Sequence, residues 1–173
     1  MSHLHYPEVT EYRLPRKNII AVSCIDLRLT DELLNFLHFD NLTNRYDHFA
    51  LAGTSVSVGA TREEHRALFK EDMLNDFDSF KHWKKALYEH IQIAIDLHQI
   101  ADVYIIEHED CGAYRTFLKD GDFTTPEDEI KCHKEFAVAL SKEIRDEYNK
   151  LNVHCFMIDI RGNVQLLDTS TVS

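Results

Sequence analysis

Cys24 opens the run CIDLR, with Asp26 and Arg28 following at steps of two, and His108 opens HEDC, with Cys111 three residues on. Two thiolates and an imidazole make a good tetrahedral set for zinc, and three protein ligands leave a fourth position for water or a carboxylate. The three-residue spacing lets a histidine at a strand end and a cysteine in the next turn reach one ion. Gly112 would then relax the backbone where the chain enters a helix. Asp26 has two candidate jobs: to fill the fourth position, or to stand off it and accept a hydrogen bond from hydroxide on the metal. Arg28 is the natural partner to hold it off, because a guanidinium clamps a carboxylate bidentately and keeps it ionised.

Each residue also has a plainer explanation. Cysteine is among the most buried residue types, so one at a strand end is ordinarily packing. The company of His108 and the Asp-Arg pair moves Cys24 and Cys111 away from that reading. Cys132 and Cys155 lack such company and read as structural. His98 and His133 extend helical apolar stripes and read as core or boundary residues. Most of the eleven histidines, His3, His5 and His65 among them, fall singly in polar contexts and read as surface. Glu107 and Glu109 flank His108 either as solvated strand-end charges or as an acid–base pair beside the metal. The sequence leaves both open.

The elements that must position these groups alternate between short apolar runs and helical patterns. NIIAVSC (18–24) is β-branched and apolar, the kind of strand buried on both faces. Thr30 is placed to cap a helix with Asp31 and Glu32 in its first turn and Leu33, Leu34 and Leu37 on its apolar side. DHFALAG (47–53) reads as a second strand, and 62–69 as a helical piece followed by an acidic stretch. A helix is expected over 81–99, a third strand at 102–108, and another helix over 127–149. Residues 153–160 and 164–168, joined by Arg161-Gly162-Asn163, read as a closing hairpin. This is the pattern of an α/β fold: a mostly parallel sheet of four to five strands, helices on both faces and a C-terminal edge hairpin. Ligands in such sheets bind beyond the carboxyl ends of the strands, where Cys24 and His108 both fall.

At 173 residues the chain suits one domain. We expect an irregular N-terminal arm over 1–17 and a single zinc domain over 18–173. With 44% hydrophobic and 28% charged residues the composition is globular. A net charge of −11, from 30 acidic and 19 basic residues, repels phosphate backbones and anionic lipid, which disfavours nucleic-acid and membrane-surface partners. No apolar run approaches the roughly 20 residues of a spanning helix. MSHLHYPEVT lacks the blocks of a secretory signal, and four scattered cysteines suit a reducing compartment, so the expected setting is cytoplasmic.

CIDLR followed some eighty residues later by HEDCG resembles the zinc motifs C-x-D-x-R and H-x-x-C-G of the β-class carbonic anhydrases. ALAG resembles the family's N-A-G turn, ALYEHIQIAIDLHQIADVYIIEH its helix feeding the third strand, and VHCFMIDIRGNVQLLD its closing hairpin. The resemblance spans roughly residues 18–168. It implies reversible hydration of carbon dioxide to bicarbonate with Zn2+ as cofactor. Cys24, His108 and Cys111 would be the ligands and Asp26 with Arg28 the orienting dyad, in a homodimer or larger homo-oligomer. This chain departs from the pattern at Leu27, Leu51, Glu107 and Glu109, and residues 60–84 look like an acidic, phenylalanine-containing insertion, whose acidic stretch 63–78 reads as a solvated helix or loop or as a pocket lid. Those departures alter the surroundings of the zinc site without removing a ligand. Two alternatives therefore stand beside carbon dioxide hydration: a zinc hydrolase of another small molecule such as COS or CS2, and a non-catalytic zinc-stabilised dimer with Asp26 on the metal.

Overall fold

The computed structural model describes residues 4–8, 10–75 and 77–171. In chain order the elements are β1 (Ile19–Ser23), α1 (Thr30–Phe39), β2 (Tyr46–Ala50), α2 (Ser55–Gly59), α3 (Glu63–Arg66), α4 (Glu71–Asn75), α5 (Phe77–His98), β3 (Asp102–His108), α6 (Gly112–Phe117), α7 (Pro126–Glu147), β4 (Asn152–Ile158) and β5 (Val164–Ser170). The strands form one sheet in the order β2-β1-β3-β4-β5. All neighbours are parallel except β4 and β5, which pair antiparallel. The expected α/β architecture and closing hairpin are both present.

Every residue of β1 and β3 is buried, as a strand covered on both faces requires. The two-residue period of the strands divides their side chains between two cores. Ile20, Val22, Val103, Ile105, Val153 and Cys155 pack against Leu87 and Ile91 of α5 and Leu140 and Ile144 of α7. Ile19, Ala21, Tyr104, Ile106 and Phe156 point the other way, onto Leu33, Phe36 and Leu37 of α1. Tyr12, from the stretch before β1, is buried in this second core. Among the described residues of 4–18 there is no helix or strand.

Helix α7 starts where its sequence provides a stop for free N–H groups: the Thr125 hydroxyl accepts the N–H of Asp128, and Pro126 occupies the first turn. Helix α1 starts differently from expectation. Thr30 is its first residue rather than its cap, because a 3-10 turn at Leu27–Leu29 runs straight into it; Asp26 caps that turn instead, accepting the N–H of Arg28. Leu34 is exposed, and Phe36 takes the place expected for it in the core. Helix α2 was absent from the sequence reading. All five of its residues are buried, so it lacks the two-sided pattern that reveals a helix.

Residues 60–84 carry exposed acidic side chains, yet they also bury Phe69 and Phe80 in a third core with Tyr114 and Phe136. Phe69 is hydrogen-bonded as an antiparallel bridge to Leu118. The segment packs against α6 and α7, and none of its described residues lines the cavity beside the candidate ligands. His65, expected at the surface, is buried against the ring of Phe136. His3 lies outside the described residues.

Candidate metal centre

Strands β1 and β3 are direct neighbours in parallel register, with Ser23 opposite Ile106. That adjacency brings Cys24 and His108 to the same carboxyl edge of the sheet, and the turn into α6 swings Cys111 back to meet them. One donor atom from each of Cys24, His108 and Cys111 lies within 4.8 Å of the others. Among the described residues no other group of histidine, cysteine and acidic side chains converges in this way.

The details suit a divalent metal. His108 Nδ1 donates to the Glu109 carbonyl at 2.9 Å, which fixes the tautomer and leaves the Nε2 lone pair free. Nε2 is buried and has no hydrogen-bond partner. With two sulfurs converging on it, such an orphan suits an occupant that needs a lone pair. The Cys111 sulfur beside it does most to lower the Cys24 pKa, with the His108 ring and the Gly53 N–H acting in the same direction against the opposing effect of burial. The Gly53 N–H reaches Cys24 Sγ at 3.2 Å. A side chain at position 53 would collide with Ala113 Cβ, and the backbone there is left-handed at φ +78°, so glycine alone fits. The Cys24 sulfur and burial raise the pKa of Cys111, and the N–H groups of Tyr114 and Ala113 work in the other direction. Burial, the largest single influence, opposes charge on His108, but the Cys24 sulfur, the Glu109 carbonyl and Asp26 together prevail and the pKa rises.

Asp26 Oδ2 stands 3.9 Å from His108 Nε2. Both its oxygens are taken by Arg28, with Nε at 3.0 and 3.2 Å and Nη2 at 2.7 Å. The Arg28 hydrogen bonds hold the Asp26 pKa down to about 2. Arg28 does more than the sequence suggested. Its Nη1 donates to Asp110 Oδ2 at 2.8 Å and its Nη2 to the Asp110 carbonyl at 2.9 Å, so one side chain ties the first motif to the second. Asp110 adopts the left-handed region at φ +56°, and it is here that the loop between His108 and Cys111 turns. Gly112, expected to relax the backbone at the entry to the helix, has no positive φ and nothing near it that a Cβ would meet.

Glu107 and Glu109 part company. Glu107 is buried and receives the Ser55 N–H at 3.0 Å, the Ser55 hydroxyl, the Tyr114 hydroxyl at 3.1 Å and His133 Nδ1 at 2.9 Å. Glu109 is half-buried and lines a separate cavity of about 260 Å³ with Glu129 and Asp159. His133 is in the core, whereas His98 is exposed and pairs with Asp47. Cys155 is fully buried; Cys132 is half-buried, and burial pushes its thiol up to about 12.

A cavity of about 320 Å³ opens beside the candidate ligands. Cys24, Asp26 and His108 form one wall, and Leu29, Leu33, Ile106 and Ile158 give it an apolar character. Ser23 and His48, hydrogen-bonded to each other at 2.7 Å, supply polar edge groups that no motif in the sequence signals. Their juxtaposition depends on the pairing of β1 with β2.

No protein-family model matches the chain. Two uncharacterised proteins of Rickettsia are similar in sequence. That of Rickettsia bellii strain RML369-C is 26% identical over 152 residues, 88% of this chain and 82% of its own length. That of Rickettsia conorii strain Malish 7 is 24% identical over 152 residues, 88% of this chain and 73% of its own. Among solved structures, the wild-type β-carbonic anhydrase CafD of Aspergillus fumigatus superposes with a TM-score of 0.60 at 12% identity, covering 96% of this chain and 99% of that one. The β-carbonic anhydrase CcaA superposes with a TM-score of 0.52 at 14% identity, covering 94% and 86%. The fold is that of the β-carbonic anhydrases. At these identities the likeness is one of β-carbonic anhydrase fold, and the Cys24, His108 and Cys111 cluster is this chain's own evidence for a metal.

Proposed function

We propose that the chain is a zinc enzyme that reversibly hydrates carbon dioxide to bicarbonate. The observation that carries the reading is the convergence of Cys24, His108 and Cys111, with a buried, unpartnered Nε2, at the carboxyl edge of a sheet with the β-carbonic anhydrase fold. Two sulfurs and one imidazole are the donor set zinc favours. Bound there, zinc would act as a Lewis acid that makes hydroxide available near neutral pH.

The protein's own groups have separate tasks in this reading. The Glu109 carbonyl keeps the His108 proton on Nδ1, so that Nε2 faces the ion. Asp26, ionised and held by Arg28, would accept a hydrogen bond from a hydroxide in the cavity beside it and orient that nucleophile. Because both oxygens of Asp26 are engaged by Arg28, orientation is favoured over ligation, and the non-catalytic reading with Asp26 on the metal is disfavoured. The apolar wall of Leu29, Leu33, Ile106 and Ile158 receives an uncharged substrate without competing for it by hydrogen bonding.

Elemental analysis together with stopped-flow hydration between about pH 7 and 9 tests the proposal, with the rate rising as the nucleophile ionises. Zinc-loaded protein that hydrates no carbon dioxide in this range would overturn it. One observation keeps a second substrate class in play: the apolar side of the cavity, lined by Leu29, Leu33, Ile106 and Ile158, equally suits the uncharged, more polarisable COS or CS2. Release of sulfide from COS or CS2, faster than bicarbonate formation under matched conditions, would shift the assignment to those substrates on the same centre.

The reading also carries a homodimer and a cytoplasmic setting. Ile25 and Leu34 line the cavity and stand exposed, and Leu27 is exposed two residues from Ile25, an apolar surface suited to a second copy; none of the four cysteines forms a disulfide. Light scattering on the zinc-loaded protein checks the assembly. Among the described residues no helix is long and apolar enough to cross a membrane.

A further inference from the structure

Helix α7 offers no atom to the candidate metal, yet two of its side chains reach both ends of the loop that does. His133 Nδ1 lies 2.9 Å from Glu107 Oε2, and Glu107 immediately precedes His108. One helical turn earlier, Glu129 Oε1 accepts the N–H of Asp110 at 2.7 Å, and Asp110 immediately precedes Cys111. The two helix residues face each other at i and i+4, with His133 Nε2 3.9 Å from Glu129 Oε1.

Glu107 also draws in α2 through Ser55 and α6 through Tyr114, whose ring stacks on His133 at 3.6 Å between centroids. A carboxylate this deeply buried is tolerated only with its donors in place. Asp110, for its part, is held in a left-handed conformation unfavourable to a residue with a side chain. Glu129 secures its N–H on one side and Arg28 its carbonyl on the other. The backbone between His108 and Cys111 therefore has little freedom of its own, and that backbone sets the distance between imidazole and sulfur.

We propose that α7 braces the metal loop through the Glu107–His133 and Asp110–Glu129 contacts, and that this brace sets the affinity of the site for a divalent metal. Glu107, Glu129 and His133 are positioning residues. The inference rests on the reading of Cys24, His108 and Cys111 as metal ligands.

Zinc affinity measured by competition with a chromophoric chelator tests it, with the visible absorption of the Co2+-substituted protein as a report on ligand geometry. Glu107→Gln and His133→Ala are expected to weaken zinc about tenfold to a hundredfold, the usual effect of removing a group that orients a ligand. Both should shift the Co2+ bands, and His133→Asn, which returns a donor near the Nδ1 position, should recover most of the loss. Leu140→Ala removes core packing from the same helix without touching the brace. It should lower the melting temperature and leave the zinc affinity unchanged. If Glu107→Gln does not fold, Glu129→Gln reports on the other arm of the brace and is expected to weaken zinc in the same direction. Folded Glu107, Glu129 and His133 variants with wild-type affinity and wild-type Co2+ bands would overturn the brace, whatever their stability. A wild-type chain that binds neither Zn2+ nor Co2+ would instead overturn the metal reading, and the inference with it.

Discussion

Two buried polar clusters sit at opposite ends of the sheet, and they differ in one respect. Toward the amino ends of the strands, Asp40 receives the Tyr12 hydroxyl at 2.6 and 2.7 Å and the Tyr104 hydroxyl at 2.8 Å. Nearby, His154 is satisfied on both ring nitrogens, by Thr169 at 2.8 Å and Asp102 at 3.3 Å. At the carboxyl edge, His108 Nε2 is just as buried but has no partner. The first cluster is closed and holds the segment around Tyr12 onto the sheet. The second is built around an unpartnered ring nitrogen on which two sulfurs converge. It is this convergence, more than the missing hydrogen bond, which His65 Nδ1 and His133 Nε2 lack too, that points to a ligand from outside the chain. Burial and polarity are common to the two; the unsatisfied donor set is what separates a binding site from a staple.

The sharpest break of that comparison is to remove a donor. Cys24→Ala, His108→Ala and Cys111→Ala should each take zinc content from about one per chain to near none by elemental analysis, since two ligands seldom retain the ion. The Asp40 cluster should remain intact, as seen in the near-ultraviolet signal of Tyr12 and Tyr104. Retained stoichiometric zinc in any of the three would mean the donor set has been wrongly drawn.

Next in size is the reverse experiment. Asp40→Ala strands two buried hydroxyls and should destabilise the fold by about 2–6 kcal/mol, at 1–3 for each unsatisfied group. Zinc affinity should stay at its wild-type value. Chemical denaturation with and without the metal measures both, and a parallel fall in zinc binding would show that the clusters are coupled.

A third polar site lies between these extremes. Arg62 is buried and bonded to Glu143 at 2.7 Å, and Lys84 joins the same carboxylate at 2.9 Å. Burial by itself would raise the Glu143 pKa, but the Arg62 and Lys84 hydrogen bonds prevail and lower it below 4.5. A carboxyl lowered on folding contributes stability above its unfolded pKa and loses it as pH falls through the folded value. Glu143→Gln should therefore cost about 3 kcal/mol near neutrality, the lower range for a broken buried pair because Glu143 is partly exposed. The gap from wild type should close below about pH 4.5 in thermal melts. A gap independent of pH would show that packing, and not charge, holds this pair.

The smallest expected effect is Tyr12→Phe, which deletes one hydroxyl and leaves Asp40 its bond from Tyr104. A loss of about 1 kcal/mol is expected in urea unfolding, with zinc binding unaltered. A much larger loss would mean that the segment around Tyr12 is the mainstay of that core.

Much of the site was legible in the sequence because its chemistry is local. Cys24, Asp26 and Arg28 occupy one short run and His108 and Cys111 another, and each run follows an apolar stretch whose length and β-branching announce a strand. Glu107 was visible as a charge closing such a run, but not its partners. Ser55 is 52 positions away and His133 is 26, and no spacing rule joins them. Helix α2 was missed because complete burial erases periodicity, and His65 was misplaced because a polar neighbourhood in sequence became an aromatic one in space.

The sequence alone determined which atoms are able to grip a metal and that they stand at strand ends, since residue type and hydrophobic period depend only on near neighbours. Tertiary structure decided that β1 lies against β3, that Asp110 rather than Gly112 bends the loop, that Arg28 joins the two motifs, and that α7 stands behind them. Those outcomes arise from contacts between segments far apart in the chain, whose geometry is fixed only once the sheet has closed and the helices have packed upon it.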